Sequence, residues 1–442
     1  DLETAMRIGG PAAGHPRLAT RADVGAQRII GTMGNCAGGT TPWGTVLIAE
    51  ENFHGYFTGD PAGREASAWK RYGINGRART PWGRHIDRFN LNREPNEANR
   101  FGWIVEIDPY DPKSMPVKRS ALGRAKHECA TTAVSHDGRV AVYSGDDERM
   151  EYVYKFVTRD AFNAKSREAN RDLLDNGTAF VARFEADGRV RWLPLVYGEG
   201  PLTKTNGFES QADVMIEKRR AADLLGATPM DRPEDVEANP ATGRIYVVCT
   251  YNEQRKPEQV NAANPRAENK WGHIIEIIPP IVDGKPDHTA VDCRWEFFIV
   301  GGDPANPAHS ARYGDSKTMP SNNGWIAAPD NIVFDPKGRL WIATDGQDDW
   351  AGFADSLYAV ETSGPRRGIP KNFFSCPRGG EVTGPAFTPD GKTLFICVQH
   401  PADEKGSTID KPSTRWPDFD AKLPPRAAVV AITKADGGEI GS

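Results

Sequence analysis

Five side chains able to hold a metal ion stand at nearly one distance ahead of five glycines. Cys36 precedes Gly44 by 8 residues, Glu128 precedes Gly138 by 10 and Glu234 precedes Gly243 by 9. Asp330 precedes Gly338 by 8, and Glu381 precedes Gly391 by 10. Any one of these alone reads as a solvated side chain at a strand start; the coincidence of the offsets is what points to a shared site. One thiolate and four carboxylates gathered at one spot repel unless cations lie between them. Carboxylate oxygens suit calcium or trivalent iron, and a thiolate adds iron or zinc to the candidates.

A second acidic set follows the strands that these glycines open: Glu50-Glu51, Asp146-Asp147-Glu148, and Asp345 with Asp348-Asp349. These read either as outer metal sites or as ordinary acidic strand ends. Arg232 lies two residues before Glu234, and residues two apart in an extended stretch face one way. Its guanidinium can fork onto a phosphate or a carboxylate; the alternative is a surface pair with Asp235 or Glu237. His127 alternates away from its neighbour Glu128 and reads as structural. His54, His85 and His400 fall in loops, where they can support a site from behind. Nucleophile-elbow, Walker A and zincin motifs are absent. Of the six cysteines, Cys129, Cys249, Cys293, Cys376 and Cys397 read as small buried residues, whereas Cys36 lies in the glycine-rich stretch Asn35-Cys36-Ala37-Gly38-Gly39-Thr40.

The elements that must position these residues are short strands. Each of the five glycines ends a turn and opens a run of apolar or β-branched residues, as in PWGTVLIAEEN and HDGRVAVYSGDD, the pattern of a hairpin entering a strand. Further short strands are expected at Gly102–Asp108, Tyr152–Phe156, His273–Ile277, Leu357–Val360 and Ala428–Ile432. The glycine spacings of 94, 105, 95 and 53 residues rule out a regular tandem array. Two hairpins per unit nonetheless match four-stranded propeller blades. The expected fold is therefore all-β, a β-propeller of the six-bladed kind with about five blades countable, in one domain over residues 1–442; the alternative is an irregular β-sandwich. Long loop or short helical insertions fill 54–100, 158–177, 199–230, 252–271 and 401–425, with an amphipathic helix over 209–226. A composition of 45 Gly and 34 Pro in 442 residues excludes a mainly helical protein. A net charge of −5 excludes a strongly basic nucleic-acid binder. No run of eighteen apolar residues reads as a membrane-spanning helix.

Several long motifs carry a family resemblance. Asn35-Cys36-Ala37-Gly38-Gly39-Thr40-Thr41-Pro42-Trp43-Gly44, then Glu50-Glu51-Asn52-Phe53 and Gly55-Tyr56-Phe57, resemble the PhoX alkaline phosphatases. So do Arg100–Pro109, Leu122-Gly123-Arg124 with Lys126-His127-Glu128, Asp231–Glu237, Ala328-Pro329-Asp330-Asn331 and Gly384–Gly391, and the similarity runs from about residue 6 to about 432. The resemblance implies a six-bladed propeller with an iron–calcium cluster (Fe3+ and Ca2+) over its channel. It implies hydrolysis of small phosphate monoesters; the mechanism expected is attack by a metal-activated oxygen in line with the leaving alcohol. It makes Cys36, Glu128 and Glu234 iron-cluster ligands, assigns Glu51, Asp147, Asp330 and Glu381 to calcium or bridging roles, and gives Arg232 the substrate phosphate. It also implies twin-arginine export to the periplasm or beyond, with a monomer expected. Two departures stand out: Cys129 replaces an expected glycine, and the family's region before Met6, with a first blade, is not seen, so the propeller is expected to lack an N-terminal blade. The rivals are a calcium-dependent propeller hydrolase of lactones or organophosphates, which has no use for Cys36, and an inactive binding propeller, against which every matched ligand position is filled.

Overall fold

Turn glycines determine where the strands begin. Gly44, Gly138, Gly243, Gly338 and Gly391 all adopt left-handed φ values, from 66° to 85°, a region open to glycine without the Cβ clash other residues meet. The computed structural model describes residues 5–314 and 324–442, and every strand expected from the sequence is present. The chain divides into two compact units: Asp1–Met230 with Pro279–Arg294, and Asp231–Ile278 with Trp295–Ser442.

The first unit opens with β1 (Ala5–Gly9), β2 (Arg28–Ile30), β3 (Asn35–Thr40), β4 (Val46–Glu50), β5 (Ile104–Ile107) and β6 (Val117–Arg119). They form one sheet in the order β2-β1-β6-β5-β4-β3, in which β3 to β6 are a four-stranded antiparallel meander. A second meander follows: β7 (Thr131–Val134), β8 (Arg139–Gly145), β9 (Val153–Ala161) and β10 (Gly177–Phe184), extended by β11 (Arg189–Pro194). The expected amphipathic helix over 209–226 is two helices, Gln211–Ile216 and Lys218–Leu225, broken at Glu217. Ser210 caps the first, its side chain accepting from Asp213 N. The unit's core gathers Phe53, Phe57, Trp69, Trp103 and Phe208, all buried.

In the second unit, β12 (Pro233–Ala238), β13 (Ile245–Cys249) and β14 (His273–Ile278) run as an antiparallel meander. The hairpin of β15 (Ile281–Val282) and β16 (Lys285–Pro286) belongs to the first unit. In β17 (Asp292–Val300) the residues Asp292–Arg294 pair with β11 within the first unit. The remainder of β17 pairs through Ile299 and Val300 with β18 (Arg312–Tyr313). Next come the four-stranded meander β19 (Pro329–Phe334), β20 (Leu340–Thr344), β21 (Ser356–Val360), β22 (Pro370–Ser375), and the three-stranded sheet β23 (Glu381–Phe387), β24 (Thr393–Gln399), β25 (Ala428–Thr433). Two apolar clusters hold this unit, one around Tyr246, Phe298 and Tyr358 and one around Trp341, Leu394 and Val398.

Candidate metal centre

The candidate ligands sit at one kind of irregularity. In β3 the pair Asn35–Glu50 is followed by Gly38–Ile48, so the strand carries one extra residue and Cys36 lies in the bulge. In β12 the pairs are Pro233–Cys249 and then Val236–Val247, with Glu234 in the bulge. In β19 they are Pro329–Thr344 and then Ile332–Ile342, with Asp330 in the bulge. A bulge re-aims a side chain at a strand end, so equal offsets from the turn glycines translate into equivalent local geometry. Glu128 follows an isolated bridge, His127–Asp146, in the same way, with the β7 ladder resuming at Thr131. Glu381 differs: it pairs directly with Gln399, and the bulged slot of β23 is filled by Gly384.

Within the first unit, Cys36 Sγ and carboxylate oxygens of Glu51 and Glu128 all lie within 4.8 Å of one another, and the Asp147 and Glu128 carboxylates approach equally closely. Cys36 Sγ is 2.9 Å from Glu128 Oε2. Cys36 is exposed, whereas Glu51 and Glu128 are buried. The backbone ties the three strand ends together. His127 N donates to Glu50 O at 3.1 Å, Asp147 N to Lys126 O at 2.9 Å, and Ala130 N to Gly38 O at 3.2 Å. Side chains would block this approach, since a Cβ on Gly39 would stand 2.3 Å from Ala130 O and one on Gly38 1.9 Å from Leu47 O.

The acidic doublets divide by alternation. Glu50 is fully buried; it accepts from Lys118 Nζ at 2.7 Å and from the Gly102 and Trp103 amides at 3.0 Å each. Asp146, also fully buried, accepts from Arg219 Nε at 2.9 Å and from Lys126 N at 3.0 Å. These inner carboxylates are held by cations from β6 and from the helix Lys218–Leu225, which leaves Glu51 and Asp147 as the members that join the candidate ligands. Sequence reasoning named Glu51 and Asp147 but missed the roles of Lys118 and Arg219; two adjacent acids in a strand already signal that one must turn inward.

His127 is structural, as expected: its ring bonds to Ser144 Oγ at 2.7 Å and Gly123 O at 2.8 Å, and burial holds its pKa well below the ordinary value. His54 is half-buried, and burial first, then the Lys126 charge, pushes it down to about 4, so it is neutral at pH 7. Cys129 is fully buried with its thiol toward Tyr143 O at 3.7 Å.

In the second unit Arg232 pairs with Glu234 at 2.8 Å, and its guanidinium lies over the Tyr251 ring at 4.6 Å. Asp235, one of the two surface alternatives for Arg232, accepts from Ile332 N at 3.0 Å and from its neighbour Val236 N at 2.8 Å. Asp330 is buried in β19. Glu381 bonds His400 at 2.9 Å, and that bond raises the imidazole pKa to about 9 against the opposing effect of burial.

The family model for alkaline phosphatase PhoX matches residues 1–402. Among solved structures, Pseudomonas fluorescens PhoX in complex with vanadate is 41% identical, with a TM-score of 0.89 over 99% of this chain and 76% of that one. A gluconolactonase from Xanthomonas campestris is 12% identical, with a TM-score of 0.29 over 89% of this chain and 93% of that one. No match was found among curated proteins.

Proposed function

The chain belongs to the PhoX alkaline phosphatase family and is an all-β phosphomonoester hydrolase of its propeller class; from that premise we propose that catalysis is organised by metal ions held at Cys36, Glu51, Glu128 and Asp147. The observation that carries this reading is the convergence of a thiol and carboxylates within 4.8 Å. Such a donor set suits the group: the soft sulfur with hard oxygens at Cys36, Glu51 and Glu128 fits Fe3+, and the oxygen-only neighbours at Asp147 fit Ca2+. Glu234, Asp330 and Glu381 are proposed as further ligands on the family resemblance, and the bulges around Glu234 and Asp330 support it. When bound, the cations supply positive charge that polarises the phosphoryl group.

The chain's own part in the reaction is positioning. Arg232 presents a planar fork of N–H donors suited to two phosphate oxygens. Glu234 at 2.8 Å and the Tyr251 face at 4.6 Å fix where that fork points. The buried pairs Lys118–Glu50 and Arg219–Asp146 hold the backbone from which Glu51 and Asp147 project. Small phosphate esters are the substrates, and neither nucleic acid nor a membrane is a partner in this reading; no helix among the described residues is long and apolar enough to cross a membrane. A monomer, a single propeller domain over residues 1–442, a periplasmic or secreted location and twin-arginine export are proposed on the same family resemblance.

Release of p-nitrophenol from p-nitrophenyl phosphate tests the reading. Activity should vanish on treatment with EGTA and return with added Ca2+. Full activity after exhaustive calcium removal overturns it.

A further inference from the structure

Two aromatic side chains extend from Arg232 in the second unit. Tyr251, under the Arg232 guanidinium, meets Trp350 edge-on at 5.6 Å and 61°. Lys270 Nζ lies 5.5 Å from the centre of the Trp350 ring. Tyr251, Lys270 and Trp350 are all half-buried, so each keeps part of its surface open. The two ring contacts place the indole at most about 10 Å from the Arg232 guanidinium. An aryl phosphate or a nucleoside monophosphate whose phosphate sits on Arg232 can bring its flat group against an indole at that distance.

The indole is held by a built support. Trp350 belongs to the short helix Gln347–Ala351, which is flanked by Gly346 and Gly352, both left-handed with φ 91° and 78°. The buried Asp355 carboxylate accepts from Thr344 Oγ1 at 2.6 Å, from Gln347 N at 2.8 Å and from Gly346 N at 3.0 Å. These bonds fix the turn from which Trp350 projects. At Gly346 a Cβ would stand 3.8 Å from Trp350 Nε1 and 4.0 Å from Tyr251 Cε1, so a side chain at this turn would touch both rings. Lys270 sits on a flexible stem that swings aside at little cost.

We propose that Trp350, with Tyr251 beside it, is the leaving-group platform of the phosphatase, and that it selects phosphate monoesters whose alcohol carries a flat aromatic ring. Arg232 holds the phosphate end and the indole face stacks against the ring. Aliphatic esters such as glycerol phosphate gain no contact from the indole face. The inference rests on the proposed phosphate-binding role of Arg232.

The test compares kcat/KM for phenyl phosphate, adenosine 5′-monophosphate and glycerol 2-phosphate in the metal-loaded wild type and in Trp350→Leu, which fills the space without a π face. The aromatic-to-aliphatic ratio should fall about threefold to tenfold, the factor that a lost aromatic stack carries, and Trp350→Phe should restore most of it. A fall confined to phenyl phosphate identifies aryl esters as the ligand, and one confined to the nucleotide identifies nucleosides. A ratio unchanged within twofold for both overturns the proposal. Calorimetric binding of phenylphosphonate against methylphosphonate gives a readout independent of turnover. If no ester is hydrolysed, the phosphatase reading fails while the binding preference is still scored; equal affinity for the two phosphonates in the wild type overturns the platform.

Discussion

Replacing Lys118 by Met probes the support behind Glu51. Lys118 and Glu50 are both fully buried, and their 2.7 Å ion pair is the carboxylate's one contact with a cation among the bonds described above. Removing one partner of a buried pair costs roughly 3–5 kcal/mol, because a charge is left uncompensated in a poor dielectric. The Gly102 and Trp103 amides, each 3.0 Å from Glu50 Oε2, remain and offset part of this, which puts the expected loss near the lower figure, about 3 kcal/mol. With an unfolding entropy of about 2.1 cal/mol/K per residue, the midpoint should drop by about 3 °C. The double variant Lys118→Met with Glu50→Gln removes both charges of the pair and should recover most of the loss, giving a coupling of at least about 2 kcal/mol. Thermal unfolding of the two single variants, the double variant and the wild type completes the cycle. If the single Lys118→Met and the double variant melt together, Glu50 is not held by that charge and the argument for an oriented Glu51 fails.

Three other outcomes follow from the same geometry. Cys36→Ser should lower iron content and cut phosphatase activity by at least about 100-fold, because a hydroxyl is a poor replacement for a thiolate ligand; iron retained in full, by elemental analysis, refutes sulfur ligation. Gly38→Ala places a Cβ 1.9 Å from Leu47 O, so β3 must shift, and both metal retention and melting temperature should fall while secondary structure by circular dichroism persists. Burial pushes Lys155 down to about 8, while its amine donates to His288 O at 3.2 Å and Ala290 O at 2.7 Å. Its folded pKa lies below the unfolded value, so the cost of burying it is full below pH 8 and fades as pH rises toward about 10.4. Wild-type stability should therefore gain on Lys155→Met between pH 8 and 10, and parallel pH profiles would contradict this.

Much of the fold was legible because its punctuation is local. A left-handed glycine needs no distant partner, and the five turn glycines opened strands where the sequence placed them. The offsets of the candidate ligands were legible for a related reason, since β3, β12 and β19 repeat one bulge at one place. What the sequence concealed depended on long-range partners. Glu50 and Glu51 are identical residue types, and the inward choice is made by Lys118 from 68 positions away. Asp146 and Asp147 are separated by Arg219, 73 positions distant. Glu381 shares the offset of Glu128 but not the bulged position, because β23 begins its ladder earlier and places Gly384 in that slot. Trp350 escaped notice since a tryptophan on a five-residue helix carries no motif; only its placement beside Tyr251 and Arg232 gives it meaning.

In the proposed reading Cys36, Glu51, Glu128 and Asp147 hold the metal ions on which phosphate-ester hydrolysis depends. Elemental analysis of the purified protein, alongside a Glu128→Gln variant, tests it most directly. Iron and calcium should be present in stoichiometric amounts in the wild type, with iron lost and activity abolished in the variant. A wild-type protein that contains neither metal yet hydrolyses phosphate monoesters at full rate would contradict it.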